Sequence, residues 1–263
     1  MNRYSLEVED FLIEYLKRIN GIKNDLNMDN RLVIRGLMNI TDTDSLNDEF
    51  YKYQDEYLQE LLSMESVTDA KYIKSEGKIA VTSVNMTLIK ADAIVNCANF
   101  TLEGCKTPLH ACLDNEIHSF AGLQLRRDCK KIARSKEITK GNCYITKGYN
   151  LPCKFIFHII VNDVGETITE EDKQVLKSCY NKALEQADNY NLKTIVFPSI
   201  EFDGEGYPVN AEAVIAYNSV KKYFEVHPES EIEKVVFNVN SSYAYDVYSK
   251  IIKNNGKILK IKK

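Results

Sequence analysis

The sequence has no apolar run long enough to cross a lipid bilayer. The longest run, FIFHIIV at 155–161, has seven residues and contains a histidine, whereas a membrane-spanning helix needs about 20. Residues 1–20, MNRYSLEVEDFLIEYLKRIN, carry charges throughout and lack the uninterrupted apolar core of a signal peptide. We therefore expect a cytoplasmic protein that makes no use of a membrane.

An excess of positive charge is missing as well. The 34 Lys and Arg residues are outnumbered by 38 Asp and Glu residues, for a net charge of −4. This balance gives no electrostatic basis for binding nucleic acid or an anionic membrane. The seven cysteines are an odd number spread over 263 residues, which argues against the disulfide framework of a small secreted protein. Each cysteine is expected to be a reduced, buried small hydrophobe unless its neighbours indicate otherwise.

A helical N-terminal part precedes an alternation of strands and helices. Apolar periodicity predicts the first helices at 6–20, 28–39 and 48–63. Runs of β-branched and aromatic residues then predict strands at 78–84, 92–98, 143–149, 155–161, 193–200 and 234–240. Helical stretches are predicted between and after these strands, at 113–134, 170–189, 210–226 and 243–254. This alternation predicts a three-layer α/β/α domain over 71–263, with a helical extension over 1–70 packed on it.

Ligands of such folds bind where strands end and loops lead into helices, and the first of these loops holds an unusual cluster. The segment EGCKTPLHACLDNEIH at 103–118 contains two cysteines and two of the four histidines. Cys105, His110 and Cys112 offer three sulfur and nitrogen donors, which suits tetrahedral Zn²⁺ with one position open. His118 is expected to point elsewhere. Two alternatives remain open from the residues alone, namely packed cysteines with a capping histidine and a Cys–His nucleophilic pair.

Two motifs resemble those of a known family. DAIVNCAN at 92–99 resembles the DAIVNAAN signature of macrodomains, which are ADP-ribose-binding modules. The segment from Gly104 to Arg126, GC-x-x-P-x-H-x-C-x-DN-x-IH-x-FAG-x-x-LR, resembles the zinc-dependent macrodomain subfamily of microbial protein-ADP-ribose hydrolases. The resemblance implies a macrodomain with a mixed central sheet and Zn²⁺ held by Cys105, His110 and Cys112. It also implies removal of mono-ADP-ribose from a modified protein.

The resemblance also implies roles for polar residues around the cluster. The strand-end asparagines of the family bind the distal ribose, so Asn99 is expected to position a ribose hydroxyl and Asn96 to hold the loop by hydrogen bonds. Asp114 follows the ligands closely and is expected to accept a hydrogen bond from His110. Alternatively, Asp114 only caps the next helix. His158 is expected to be a hydrogen-bonded core histidine.

The adenine turn departs from the family pattern. Its usual aspartate, which holds the adenine amino group, is replaced by Asn85 in the turn VNMT at 84–87. The Asn85 side-chain oxygen can still accept that hydrogen bond, although without charge assistance the bond is weaker.

The phosphate loop departs further, because IEFDGEGYP at 200–208 stands where the family has a serine, a threonine and a glycine before Gly-Tyr-Pro. Gly204, Gly206 and Tyr207 are expected to keep ligand contacts, with Tyr207 either covering a ribose or packing in the core. A carboxylate about 4 Å from a phosphate would cost roughly 1 to 4 kcal/mol. This divergence leaves two alternatives open, a macrodomain that binds or hydrolyses another nucleotide or ribosyl ligand, and a non-catalytic ADP-ribose-type binding module with zinc.

Overall fold

The computed structural model describes residues 3–24, 26–162, 164, 167–202 and 205–256. Two compact units interleave along the chain. The helical unit comprises Met1–Ser66, Asn99–Glu137 and Thr146–Leu151, and the sheet unit comprises Val67–Ala98, Ile138–Ile145 and Pro152–Lys263. The loop with the Cys–His cluster therefore belongs with the N-terminal helices, whereas the boundary predicted at residue 70 assigns it to the α/β domain.

Five helices build the described part of the helical unit. They are α1 (Arg3–Ile19), α2 (Asn30–Ile40), α3 (Asp48–Ser63), α4 (Leu113–Ala121) and α5 (Leu123–Ser135). The first three follow the predicted apolar periodicity, and the side chains of Asp29 and Asn47 cap α2 and α3. Their apolar faces meet Leu123 of α5 in one buried core, to which α1, α2 and α3 contribute Val8, Leu12, Tyr15, Leu16, Val33, Ile34, Leu37, Met38, Phe50, Tyr51, Tyr57 and Leu58.

The single helix predicted over 113–134 is wrong, because the chain breaks there. Gly122 adopts φ 97° between α4 and α5, and its N–H donates to the carbonyl of His118. A residue with a Cβ is strained at such a φ, so glycine is required at the break.

A mixed sheet forms the framework of the sheet unit. Its strands are β1 (Thr68–Asp69), β2 (Ser75–Glu76), β3 (Ile79–Thr82), β4 (Ile89–Cys97), β5 (Cys143–Lys147), β6 (Cys153–Ile159), β7 (Thr194–Pro198) and β10 (Lys234–Asn238). They are ordered β2-β3-β10-β7-β4-β6-β5, with β1 beside β4. The pairs from β3 through β10, β7 and β4 to β6 are parallel, whereas β2 is antiparallel to β3. A separate antiparallel hairpin joins β8 (Glu201–Phe202) to β9 (Glu205–Gly206).

Where the sheet unit is described, three helices complete it, and all three agree with the predicted helices to within one residue at each end. They are α6 (Glu170–Asn189), α7 (Val209–Val226) and α8 (Ser242–Lys253). Thr169 and Asp172 form a reciprocal capping box at the start of α6. Packing of α6 on α7, and of α8 on α7 and β3, covers apolar strand residues such as Ile195, Phe197 and Phe237. Among the described residues, no helix combines the length and apolarity that spanning a membrane requires.

Parallel pairing determines where the polar strand ends lie. Because β4, β6, β7 and β10 run in one direction, their carboxyl ends share one edge of the sheet. Asn96 on β4 is in register with His158 on β6 at that edge, and Pro198 on β7 with Asn238 on β10.

Candidate metal centre and ligand-binding residues

The helical unit brings the three predicted metal ligands together. The Sγ atoms of Cys105 and Cys112 and a ring nitrogen of His110 all lie within 4.8 Å of one another. Cys105 Sγ is 3.6 Å from His110 Nδ1. A tetrahedral ion with a Zn–S distance of about 2.3 Å and a Zn–N distance of about 2.0 Å separates such donors by about 3.5 Å. The donor set and its spacing therefore fit zinc.

Local backbone geometry positions Cys105, the first of the predicted metal ligands. Gly104, immediately before Cys105, has φ +79°, and a Cβ built there would lie 2.5 Å from the Cγ of the His118 ring. His118 is 2% exposed, so its ring fills the space that the glycine leaves. The chain can make this close approach only with glycine at position 104. The His118 ring thus packs against the loop at Gly104. His118 does not belong to the donor cluster of Cys105, His110 and Cys112.

Asn115 organises the loop, and no sequence pattern predicts this role. Its Nδ2 donates to the carbonyls of Cys105, at 3.2 Å, and Thr107, at 3.0 Å. Its backbone N–H donates to Cys112 Sγ at 3.4 Å. One residue therefore contacts the loop at both Cys105 and Cys112. The motif contained this asparagine, but its long-range contacts have no sequence signal.

Cys112, a predicted metal ligand, also caps the start of α4. Its sulfur is the helix N-cap, where it accepts the Asn115 N–H. Burial raises the pKa of the Cys112 thiol to about 12, and the Asn115 N–H opposes that shift. A thiolate is the form that ligates a metal, so metal binding at this cluster is expected to release protons. The capping alternative for Asp114 is wrong, since Cys112 occupies the cap position.

Asp114 lies in the first turn of α4 and is 7% exposed. Its Oδ1 is 3.6 Å from Nε2 of His118, one turn further along the helix. Acceptance of a hydrogen bond from His110 stays a prediction. The Asp114 carboxylate does contact His118, whose ring packs against Gly104.

Asn99 lies exposed just beyond β4, in the helical unit. Its Oδ1 accepts hydrogen bonds from the N–H of Thr101, at 2.9 Å, and from Thr101 Oγ1, at 2.6 Å. Its Nδ2 points to the carbonyl of Gly104 at 3.5 Å. The Asn99 amide therefore lies against the peptide that leads into Cys105, where a ligand can reach it.

Asn96 lies inside the sheet unit and is 0% exposed. Its Nδ2 is 3.2 Å from Nδ1 of His158, which is also fully buried. Burial lowers the pKa of His158 to about 3, so its ring is neutral at physiological pH. His158 is therefore the hydrogen-bonded core histidine that the sequence predicted. Asn96 contacts its ring between two strands and offers no exposed surface to a ligand.

The remaining predicted ligand contacts differ in how the structure places them. Asn85 is exposed, and its Oδ1 already accepts from the N–H of Thr87, at 2.9 Å, and from Thr87 Oγ1, at 2.7 Å. Tyr207 is 1% exposed and donates its hydroxyl to the Asp172 carbonyl at 3.0 Å. The packing alternative therefore describes Tyr207 here. Gly206 pairs with Glu201 in the β8–β9 hairpin, and Gly204 lies outside the described residues.

Comparison with known proteins identifies the family. The macro domain family matches residues 95–216, a segment that contains Cys105, His110 and Cys112. The protein-ADP-ribose hydrolase of Treponema medium is 34% identical over 254 residues, covering 92% of this chain and 97% of the relative. The chain belongs to the macrodomain family. The α/β fold with a mixed sheet and flanking helices is confirmed by its likeness to solved macrodomain structures.

Other relatives and solved structures are also similar to this chain over most of its length. The protein-ADP-ribose hydrolase of Staphylococcus aureus strain MSSA476 is 33% identical over 252 residues, which is 90% of this chain and 93% of the relative. A crystal structure of a Trypanosoma brucei macrodomain in complex with ADP-ribose has a TM-score of 0.63 at 25% identity, covering 80% of this chain and 92% of the other. Both the helical extension and the sheet are included in the longer alignments.

Proposed function

We propose that this macrodomain is a zinc-dependent protein mono-ADP-ribosylhydrolase. The observation that carries the proposal is the convergence of Cys105, His110 and Cys112 within 4.8 Å, in a chain whose full-length relatives are protein-ADP-ribose hydrolases. The substrate is a protein that carries mono-ADP-ribose. Zn²⁺ is the cofactor.

The chemistry of the donors supports zinc at this cluster. Two thiolates and one imidazole are borderline-soft ligands that suit Zn²⁺, and three protein ligands are typical of a catalytic site. Zinc bound by Cys105, His110 and Cys112 supplies Lewis-acid chemistry at its remaining position. The Asn115 N–H at Cys112 Sγ stabilises the thiolate form, since a hydrogen bond donated to sulfur favours its anion.

Asn99 is the residue of this chain that we assign to substrate positioning. Its amide is exposed and lies 3.5 Å from the carbonyl of Gly104, adjacent to the ligand Cys105. Cleavage of a ribosyl bond passes through a transition state with oxocarbenium character, for which orientation of the sugar matters. A hydrogen bond from Asn99 to a ribose hydroxyl would fix the sugar beside the metal cluster.

A second candidate function follows from the β8–β9 hairpin. Glu201 pairs with Gly206 and Phe202 with Glu205, so the phosphate-loop backbone engages in strand pairing. A phosphate site in such a loop relies on backbone N–H groups that converge on an anion. Acidic residues in this segment, such as Glu201 and Glu205, would repel a diphosphate, and strand pairing already engages the backbone. Both features favour a smaller ribosyl ligand, or a changed diphosphate contact, as the alternative to ADP-ribose.

Release of ADP-ribose from a mono-ADP-ribosylated protein tests the proposal. The zinc-loaded chain is expected to release ADP-ribose, to lose this activity with a chelator and to regain it with added zinc. Asn99→Ala is expected to lower the rate about tenfold, since one hydrogen bond of about 1.4 kcal/mol is lost. The matched control is Asn47→Ala, because Asn47 is also an exposed asparagine whose oxygen caps a backbone N–H.

The outcomes separate the candidate functions. ADP-ribose binding without release by the zinc-loaded protein would contradict hydrolysis and leave a binding module. A failure to bind ADP-ribose, together with binding of a smaller ribosyl compound, would favour the second candidate. Full activity in the presence of a chelator, after removal of all zinc, would refute the metal requirement.

A further inference from the structure

We propose that Asn39, on α2, is a positioning residue of the metal site, so that the N-terminal helices are part of the metal-binding machinery. This inference rests on the metal site of the proposed function. It goes beyond that site because it assigns a role to a residue 70 positions before Leu109 of the ligand loop. Among the described residues, α2 contributes no side chain to a cluster of possible metal donors.

Asn39 forms a hydrogen bond with the loop at Leu109, one residue before the ligand His110. Its side chain is 1% exposed. Its Oδ1 accepts the backbone N–H of Leu109 at 2.9 Å, and its Nδ2 donates to Ser119 Oγ at 2.9 Å. Leu109 has φ 57°, a conformation that residues other than glycine rarely adopt. The buried amide of Asn39 therefore supports the turn that presents the His110 ring.

Two arginines join the same helix to other parts of the loop. Arg35, one turn before Asn39, donates to Asn115 Oδ1 at 3.0 Å and points to the carbonyl of His110 at 3.5 Å. Arg126, 2% exposed, donates to the carbonyl of Glu103 at 2.8 Å. The same guanidinium also donates to the carbonyls of Met38 and Thr41 at the end of α2, at 2.8 and 3.0 Å.

These contacts are spread over the whole ligand loop. Side chains of α2, α4 and α5 hold backbone groups of Glu103, Cys105, Thr107 and Leu109. Partners that orient metal ligands without touching the metal commonly change metal affinity by about 10- to 100-fold when they are mutated. Without these contacts, metal binding itself would have to order the loop. Metal affinity would then be lower, because fixing each backbone residue has an entropic cost.

Zinc affinity of the full chain is the readout, measured by competition with a chromophoric chelator. Asn39→Ala is expected to weaken zinc binding about 10- to 100-fold. Gln54→Ala is the matched control, because Gln54 is 0% exposed, accepts the N–H of Leu123 at 2.8 Å and donates to the side chain of Gln124. Both variants remove a buried amide that accepts one backbone N–H and donates to one nearby side chain, and Gln54 Nε2 also lies 3.4 Å from Asp55 Oδ1. Of the two residues, only Asn39 contacts the ligand loop.

Urea unfolding of the zinc-free proteins measures the unfolding free energy of each variant. It thereby checks that zinc affinities are compared between folded chains. A Gln54→Ala variant with a similar loss of unfolding free energy is expected to bind zinc within about threefold of the wild type. Equal weakening of zinc binding by Asn39→Ala and Gln54→Ala would overturn the inference, since both effects would then reflect general loss of stability. Unchanged affinity in Asn39→Ala would overturn it as well.

Arg35→Met keeps the inference testable if Asn39→Ala does not fold. Arg35 is only half-buried, and methionine preserves its apolar stem while removing the donors to Asn115 and His110. We expect about tenfold weaker zinc binding in this variant, and wild-type affinity would count against the inference. Failure of the wild type itself to bind zinc would refute the proposed metal site too. Wild-type binding that none of these substitutions changes would refute the inference alone.

Discussion

Substitution of Gly104 by alanine tests how the loop is built. The added Cβ would lie 2.5 Å from the Cγ of the His118 ring, and that ring is buried and cannot swing away. Alanine at φ +79° costs about 1–2 kcal/mol, and overpacking against a fixed ring adds about 1–3 kcal/mol. We therefore expect Gly104→Ala to lower the free energy of unfolding by about 2–5 kcal/mol. Because Cys105 follows directly, zinc affinity should fall as well.

Gly21→Ala is the control for Gly104→Ala within the same helical unit. Gly21 has φ +68° but no atom within 4 Å of a built Cβ, so it reports only the conformational cost of about 1–2 kcal/mol. Urea denaturation of the zinc-free proteins, followed by circular dichroism, gives both values. Adding His118→Ala should relieve the overlap and make the double variant less destabilised than the sum of the single ones. Equal effects of Gly104→Ala and Gly21→Ala would refute the close packing.

Two further predictions concern buried groups of the sheet unit. Burial lowers the folded-state pKa of His158 to about 3, so its stabilising contribution is present above the unfolded-state pKa of about 6.5 and is lost as the pH falls below it. Between pH 7 and pH 5 the zinc-free wild type should lose about 2 kcal/mol more unfolding free energy than His158→Gln, and identical pH dependences would contradict this. Tyr207→Phe removes the hydroxyl that donates to Asp172, and a loss of about 1 kcal/mol is expected with ligand affinity unchanged. A large loss of ADP-ribose affinity would show instead that the hydroxyl faces the ligand.

The regular elements were predictable because local patterns determine them. The helix at 170–189 coincides with α6, and the strands at 92–98 and 155–161 overlap β4 and β6. Two-residue strands such as β1 and β2 carry no periodicity and were missed. The break at Gly122 was missed because the apolar periodicity continues through it, and only the φ of 97° shows why the helix stops.

The candidate site was predictable only where its residues are close in sequence. Cys105, His110 and Cys112 lie on one loop, so their spacing indicated a cluster. The contacts of Asn39 and Arg126 with this loop join residues far apart in the chain, and hydrophobic patterns do not encode them. The burial of Tyr207 is likewise a tertiary property.

The metal content of the purified chain tests the central claim most directly. Elemental analysis together with X-ray absorption at the zinc edge reports the amount of metal and its sulfur and nitrogen neighbours. We predict one zinc per chain, with two sulfur ligands and one imidazole, and loss of the metal in Cys112→Ala. A zinc-free protein that does not take up added zinc, or a Cys112→Ala variant with full zinc content, would contradict the account.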